Sequence, residues 1–108
     1  MPIELAVHSG VDGFAEDKDE ARRMRVEIVL PALSRDEDIC FDFSQVRYAT
    51  QSFIHALIGE PLKQYGEAIL DRIEFRNCSP QVQNIIEIVV DYSLGGFLDA
   101  ADLQVDQI

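Results

Sequence analysis

Three times in this chain a short stretch with a period of two gives way to a longer stretch with a helical period, and that alternation constrains the fold more than any other feature. "IELAVH" sets Ile3, Leu5 and Val7 on one side and Glu4, Ala6 and His8 on the other. "DICFDFSQV" puts Ile39, Phe41 and Phe43 on one face, with Cys40 opposite. "DRIEFRN" sets Ile73 and Phe75 against Arg72, Glu74 and Arg76. Each has the parity of a strand with one apolar face. Each is followed by apolar residues three and four positions apart, the spacing of one helix face. Strands separated by whole helices cannot pair through tight hairpins, so they need crossovers. The predicted order is β-α-β-α-β-α, an α/β layer with mostly parallel pairing.

The helix ends carry local signals. Asp17 and Glu20 form an acceptor-x-x-Glu capping box, which predicts a helix from Lys18 to Leu33, with Met24 over Ile28 and Val29 over Leu33. Pro31 falls in its last turn and is expected to bend or shorten it. The stretch before it, "SGVDGFAEDKD", reads as a loop. A second helix is predicted from near Gln51, with Phe53, Ile54, Leu57, Ile58 and Leu62 inward, a kink at Pro61 and a C-cap at Gly66. A third starts with Ser79 as N-cap and Pro80 at its first position. It carries a stripe of Val82, Ile85, Ile86, Val89 and Val90, and "SLGG" closes it. The apolar spacing of "FLDAADLQVDQI" fits a short helix. No repeat or linker divides the chain, so it reads as one domain over 1–108, with a core at about 2–92 and an acidic tail at 93–108.

With 108 residues, 47% of them apolar, the chain can bury a modest core and should fold. Its net charge of −11, from 20 acidic and 9 basic side chains, repels phosphate backbones and anionic lipid heads. Nucleic acid and membranes are therefore excluded as partners, and a protein with a basic face is favoured. No apolar run reaches the roughly 20 residues that a membrane helix needs. "MPIELAV" has no basic n-region, so a signal peptide is not expected. Two cysteines, each in or beside a strand, point to a reducing, cytoplasmic setting.

Few residues are arranged for chemistry. His8 and His55 are far apart and join no ligand cluster, and the run Asp36–Glu37–Asp38 reads as a solvated turn, so no metal is expected. Cys40 and Cys78 read as inert strand residues rather than nucleophiles. "GVDG" lacks the Gly-Lys-Ser/Thr that would make it a phosphate loop. Arg22, Arg23 and Arg25 form the basic cluster; they read as a solvated face pairing with Asp19 or Glu20, or as a docking patch. No base, nucleophile and oxyanion set emerges, so an enzyme is not expected, and neither is a cofactor. What remains is the knot "YATQSF" between the second strand and the second helix. Thr50 there is a plain N-cap on one reading. On the other, a hydroxyl at Thr50 or Ser52 carries a phosphoryl group, which helix-end amides and the dipole would tolerate.

"FDFSQVRYATQSFIHALIGEPLKQYG" and "IEFRNCSPQVQNII" resemble the STAS-like family, an uncharacterised bacterial branch of the STAS (anti-sigma factor antagonist) group. Its motifs are a strand ending in Asp-Phe-Ser-x-Val, a Ser-Phe opening a helix, and a strand ending in Arg-Asn. "GFAEDKDEARRMRVEIVLPAL" is similar to the family's first helix, and the resemblance covers about residues 10–92. It implies a β/α superhelix with a small mixed sheet, and a non-catalytic role. STAS antagonists bind a histidine-kinase-like ATPase, the anti-sigma kinase, which phosphorylates a Ser at the start of the second helix and so switches the complex off. By that match Ser52 stands at the acceptor position, where the familiar motif reads Asp-Ser-Ser-Gly-Leu. Here Thr50 stands for the Asp, Gln51 for the first Ser and Phe53 for the Gly. The resemblance thus implies a protein-binding surface at Tyr48, Thr50, Gln51, Ser52 and His55. The alternatives are an adaptor domain without a phospho-switch, and a small-ligand sensor or enzyme built on the loop from His8 to Lys18. Oligomeric state is not legible.

Overall fold

The middle strand of the sheet is the most apolar, and it takes a neighbour on each side. In the computed structural model, which describes residues 2–7 and 12–94, β1 (Ile3–Ala6), β3 (Ile39–Asp42) and β5 (Ile73–Arg76) form a sheet in the order β1-β3-β5. Both pairings are parallel, with Ile3, Ile39 and Ile73 in register and Leu5, Phe41 and Phe75 one pleat further on. The strand parity read from the sequence therefore places one apolar face, and the aromatic rings of Phe41 and Phe75 stack on it at 5.7 Å. The opposite face carries exposed Glu4, Ala6, Glu74 and Arg76 around buried Cys40. Arg76 reaches from β5 to Glu4 on β1 at 3.8 Å and to Glu74 at 3.3 Å, so its stem spans the middle strand. Every described pairing is parallel, whereas the resemblance implies a mixed sheet.

Three long helices cover the apolar face among the described residues. The first, α1, spans residues 18–34; the second, α2, spans 51–65; the third, α3, is Pro80–Ser93. Their stripes are buried as the spacing requires: Met24, Val29 and Leu33 from α1, Phe53, Leu57 and Leu62 from α2, Val82, Ile86 and Val89 from α3. Each such side chain contributes about 1.5–3 kcal/mol by leaving water. Ile85 and Val90 are only partly buried. Between α2 and β5 the chain makes a 3-10 turn, Glu67–Arg72, which the sequence reading lacked.

The two prolines do something more specific than end or kink their helices. Each is preceded by a π turn, Arg25–Val29 in α1 and His55–Gly59 in α2. Leu30 N–H donates to Arg25 O and Glu60 N–H to His55 O, five residues back rather than four. Proline has no N–H and its ring crowds the carbonyl four residues earlier; the wider turn makes room for it. The helices then continue to Ser34 and Tyr65. One consequence is a carbonyl without a helical partner. Ala56 O would bond Glu60 N–H in an α turn and residue 61 in a π turn, and residue 61 is Pro. Arg25 Nη1 donates to it instead, at 2.9 Å.

The stretch expected to be a plain loop needs correcting. Phe14–Ala15, labelled β2, pairs in parallel with Tyr48–Ala49, labelled β4, in a two-residue ladder. Gly13 sets it up: its carbonyl accepts from both Arg47 and Tyr48 N–H, and its φ is +78°. A Cβ there would lie 3.1 Å from Arg47 N, so a side chain is excluded by sterics as well as by torsion. His8 and the tail helix expected within 93–108 fall outside the described residues, apart from Ser93, which ends α3, and Leu94.

Candidate functional site

The knot lies where β4 runs into α2, and it is held from both sides. Thr50 N–H donates to Ala15 O at 3.0 Å. Gln81, in the first turn of α3, brackets Ala49: its Oε1 accepts from Ala49 N at 2.9 Å and its Nε2 donates to Ala49 O at 3.0 Å. The amide thus mimics one rung of a strand ladder at the outer edge of β4. Ser79 accepts from Val82 N–H as the α3 cap and donates its hydroxyl to Arg47 O at 3.1 Å. The sequence reading missed Gln81, since nothing in a lone first-turn Gln signals a bond across 32 positions.

Thr50 is extended, at φ −85° and ψ 158°, and its Oγ1 accepts from Phe53 N–H at 3.1 Å. This is the N-cap geometry expected for it. Phe53 is fully buried, so the residue standing where the family motif has Gly belongs to the core. Gln51 and Ser52 are exposed, and the Ser52 hydroxyl has no hydrogen-bond partner among the described residues. Tyr48 is 54% exposed and stacks on Phe14, itself 48% exposed, with ring centroids 5.7 Å apart. Exposed aromatics of this kind are enriched at protein interfaces.

His55 begins the π turn and is half-buried. Its Nδ1 lies 3.8 Å from Glu60 Oε2, and its ring meets Tyr92 edge-on at 6.5 Å. Gly59 makes this packing possible: a Cβ there would lie 2.7 Å from His55 Cδ2 and 3.0 Å from Ser93 Oγ. Of the five residues implied as a contact surface, Gln51, Ser52 and His55 line one cleft with Lys18 and Arg25, Tyr48 lines another with Arg47 and Ser79, and Thr50 lines neither. Of the two candidate hydroxyls, Thr50's is committed to the cap and Ser52's is not.

The rest of the candidate chemistry resolves into structure. Arg22, Arg23 and Arg25 do not act as one patch: Arg23 pairs with Glu20 and with Glu27, Arg22 is exposed, and Arg25 turns inward to Ala56 O. Cys40 is buried and burial pushes its thiol up; the same cause raises half-buried Cys78. Both thiols are thus kept protonated, the poorer nucleophilic form. Asp42, at the end of β3, is held below the usual carboxylate range by the Asn77 amide at 2.9 Å and then by Ser44 N–H at 2.9 Å. Among the described residues no three His, Cys, Asp or Glu side chains converge on a metal position. Four clefts among the described residues are lined by neither Asp12 nor Thr50, and His8, the third residue expected to line a sensor's pocket, lies outside the described residues. No helix of the described residues is long and apolar enough to cross a membrane.

A small parallel sheet with its helices wound over one face, and a capped strand-to-helix junction at its rim, define an α/β module of the STAS type. Residues 20–83, more than half of the chain, match the family described as STAS-like domain of unknown function (DUF4325), and the chain belongs to it. No curated protein and no solved structure matches the chain.

Proposed function

We propose that this chain is a non-catalytic regulatory module that binds a protein partner through the surface at the start of α2, and that a phosphoryl group on Ser52 switches that binding off. The observation that carries the reading is the division of labour between two hydroxyls. Thr50 caps the helix through Oγ1, while Ser52, two residues on, presents an exposed hydroxyl with no hydrogen-bond partner among the described residues. A phosphate there costs the fold nothing, because first-turn amides and the helix dipole favour negative charge. It would alter the charge of the surface at the point of contact.

Membership of the STAS-like family supports an antagonist-type role, with a histidine-kinase-like ATPase of the anti-sigma kind as the partner. The bonding around Ser52 supports a passive acceptor: among the described residues no side chain stands hydrogen-bonded to it as a base, as a nucleophile of the chain's own would require. The test is capture from native lysate with wild-type protein and with Tyr48→Ala, followed by intact-mass analysis of the recovered chain. The expected result is a protein retained by wild type and lost with Tyr48→Ala, and a single phosphoryl group abolished by Ser52→Ala. A captured protein indifferent to Tyr48→Ala, or phosphate on another residue, would overturn the assignment of the surface.

A further inference from the structure

The cations of this chain are not spread evenly. Arg23, Arg35, Arg72 and Arg76 are each paired with carboxylates. Five cations make no ion pair among the described residues: Arg22 and Arg47 are exposed elsewhere, and Lys18, Arg25 and Lys63 all line the same cleft of about 670 Å³. Ser52, His55 and Tyr92 line it too. Lys18 opens α1, Arg25 lies two turns on, Lys63 is in the last turn of α2, and Tyr92 is near the end of α3, so three helices line the cleft. Arg25 is fixed there by its bond to Ala56 O, and Lys63 by its position 5.6 Å over the Tyr92 ring. Among the described residues that line it, one carboxylate, Glu60, opposes the three cations. In a chain of net charge −11 this is a local excess of positive charge among the described residues, in a cleft that exposed Ser52 also lines.

Unpaired cations gathered in a concavity of an acidic protein repel one another and are stabilised by an incoming anion. We propose that this cleft receives an acidic segment of the protein partner, whose carboxylates pair with Lys18, Arg25 and Lys63. The inference rests on reading the Ser52 face as a protein-binding surface, and it names what enters it. A long polyanion such as nucleic acid, or an anionic lipid surface, meets the field of the whole molecule and is repelled. A short acidic segment feels mainly the charges within roughly 8–10 Å, which is the screening length near physiological salt. The exposed Tyr92 ring at the rim, 61% exposed, supplies a face on which the segment's apolar atoms can rest. The same arrangement explains how a phosphoryl group on Ser52 would act. It would neutralise the cleft from within and so compete with the partner's carboxylates for the same cations.

The experiment is an amide-shift titration of the labelled protein with a synthetic Glu/Asp-rich peptide at low ionic strength, with inorganic phosphate as a second probe. Saturable shifts are expected at Lys18, Ser52, His55 and Lys63 with the peptide and not with phosphate. Affinity should fall about tenfold in the double variant Lys18→Glu/Lys63→Glu, whose substitutions are both exposed, with an unchanged melting temperature. Ser52→Asp should weaken the peptide in the same direction. A peptide that leaves the cleft unshifted, or a cleft saturated by phosphate alone, overturns the proposal. The captured partner separates this inference from the reading beneath it. A partner lost with Tyr48→Ala but binding Lys18→Glu/Lys63→Glu as tightly as wild type would refute the acidic segment and leave the protein-binding surface standing. Saturation of the cleft by the peptide, with capture indifferent to Tyr48→Ala, would support the cleft and refute that surface.

Discussion

Two hydroxyls two positions apart, Thr50 and Ser52, have opposite fates because of where the helix begins. The first accepts from Phe53 N–H, and the second has no partner among the described residues. Thr50→Ala should therefore lose about 0.5–2 kcal/mol in urea denaturation, while Ser52→Ala should cost little. Both outcomes separate capping from surface chemistry; a Ser52→Ala variant that unfolds would make Ser52 a structural group. Asp42 gives a pH prediction with a definite sign. Its folded-state pKa is depressed, first by Asn77 and then by Ser44, so its contribution is complete above the unfolded value of about 3.9. That contribution is lost as pH falls through the folded value. Asp42→Asn, which keeps an acceptor oxygen for both donors, should flatten the dependence of the melting temperature on pH in that acid window and leave the neutral range alone. An unchanged acid slope would mean that another carboxylate carries it.

At the scale of elements, what was legible in the sequence was local. Asp17 accepts from Asp19 and Glu20 N–H, Ser79 from Val82 N–H, and Gly66 closes α2 at φ +85°. Each is a side chain or torsion acting on backbone within a few residues, and so leaves a mark in the string. The strand parity was legible for the same reason. The β2–β4 clip was not, because a ladder of two residues is too short to show a period. Nor were the Gln81 bracket and the Arg25–Ala56 bond, which join residues 32 and 31 positions apart. The prolines were read as interruptions, but the consequence lay in which carbonyl each orphaned and what came to satisfy it. Arg25→Met should leave the half-buried Ala56 O without a donor and cost about 1–3 kcal/mol. In a Pro61→Ala background, residue 60 or 61 can supply an N–H, and the same substitution should cost less. A double-mutant cycle measures the difference, and strictly additive costs would contradict the account of the π turn.

At the scale of the whole molecule, one face of one small sheet organises everything, and the third helix closes it. Ile86, 6% exposed in mid-stripe, packs into that core, so Ile86→Asp should abolish the cooperative melt. An unpaired buried carboxylate costs several kcal/mol against a total stability of about 5–15 kcal/mol. The closed core in turn fixes the rim, where β4, the start of α2 and the first turn of α3 hold Tyr48, Gln51 and Ser52 toward solvent. The central claim is that this rim is a charge-sensitive protein-binding surface. The most direct test is calorimetric titration of the captured partner with wild type, Ser52→Ala and Ser52→Asp. All three should be folded, Ser52→Ala should bind as wild type does, and Ser52→Asp should bind at least about tenfold more weakly, a loss of about 1.4 kcal/mol. Ser52→Asp binding as tightly as wild type would contradict the switch and leave the junction as nothing more than a helix cap.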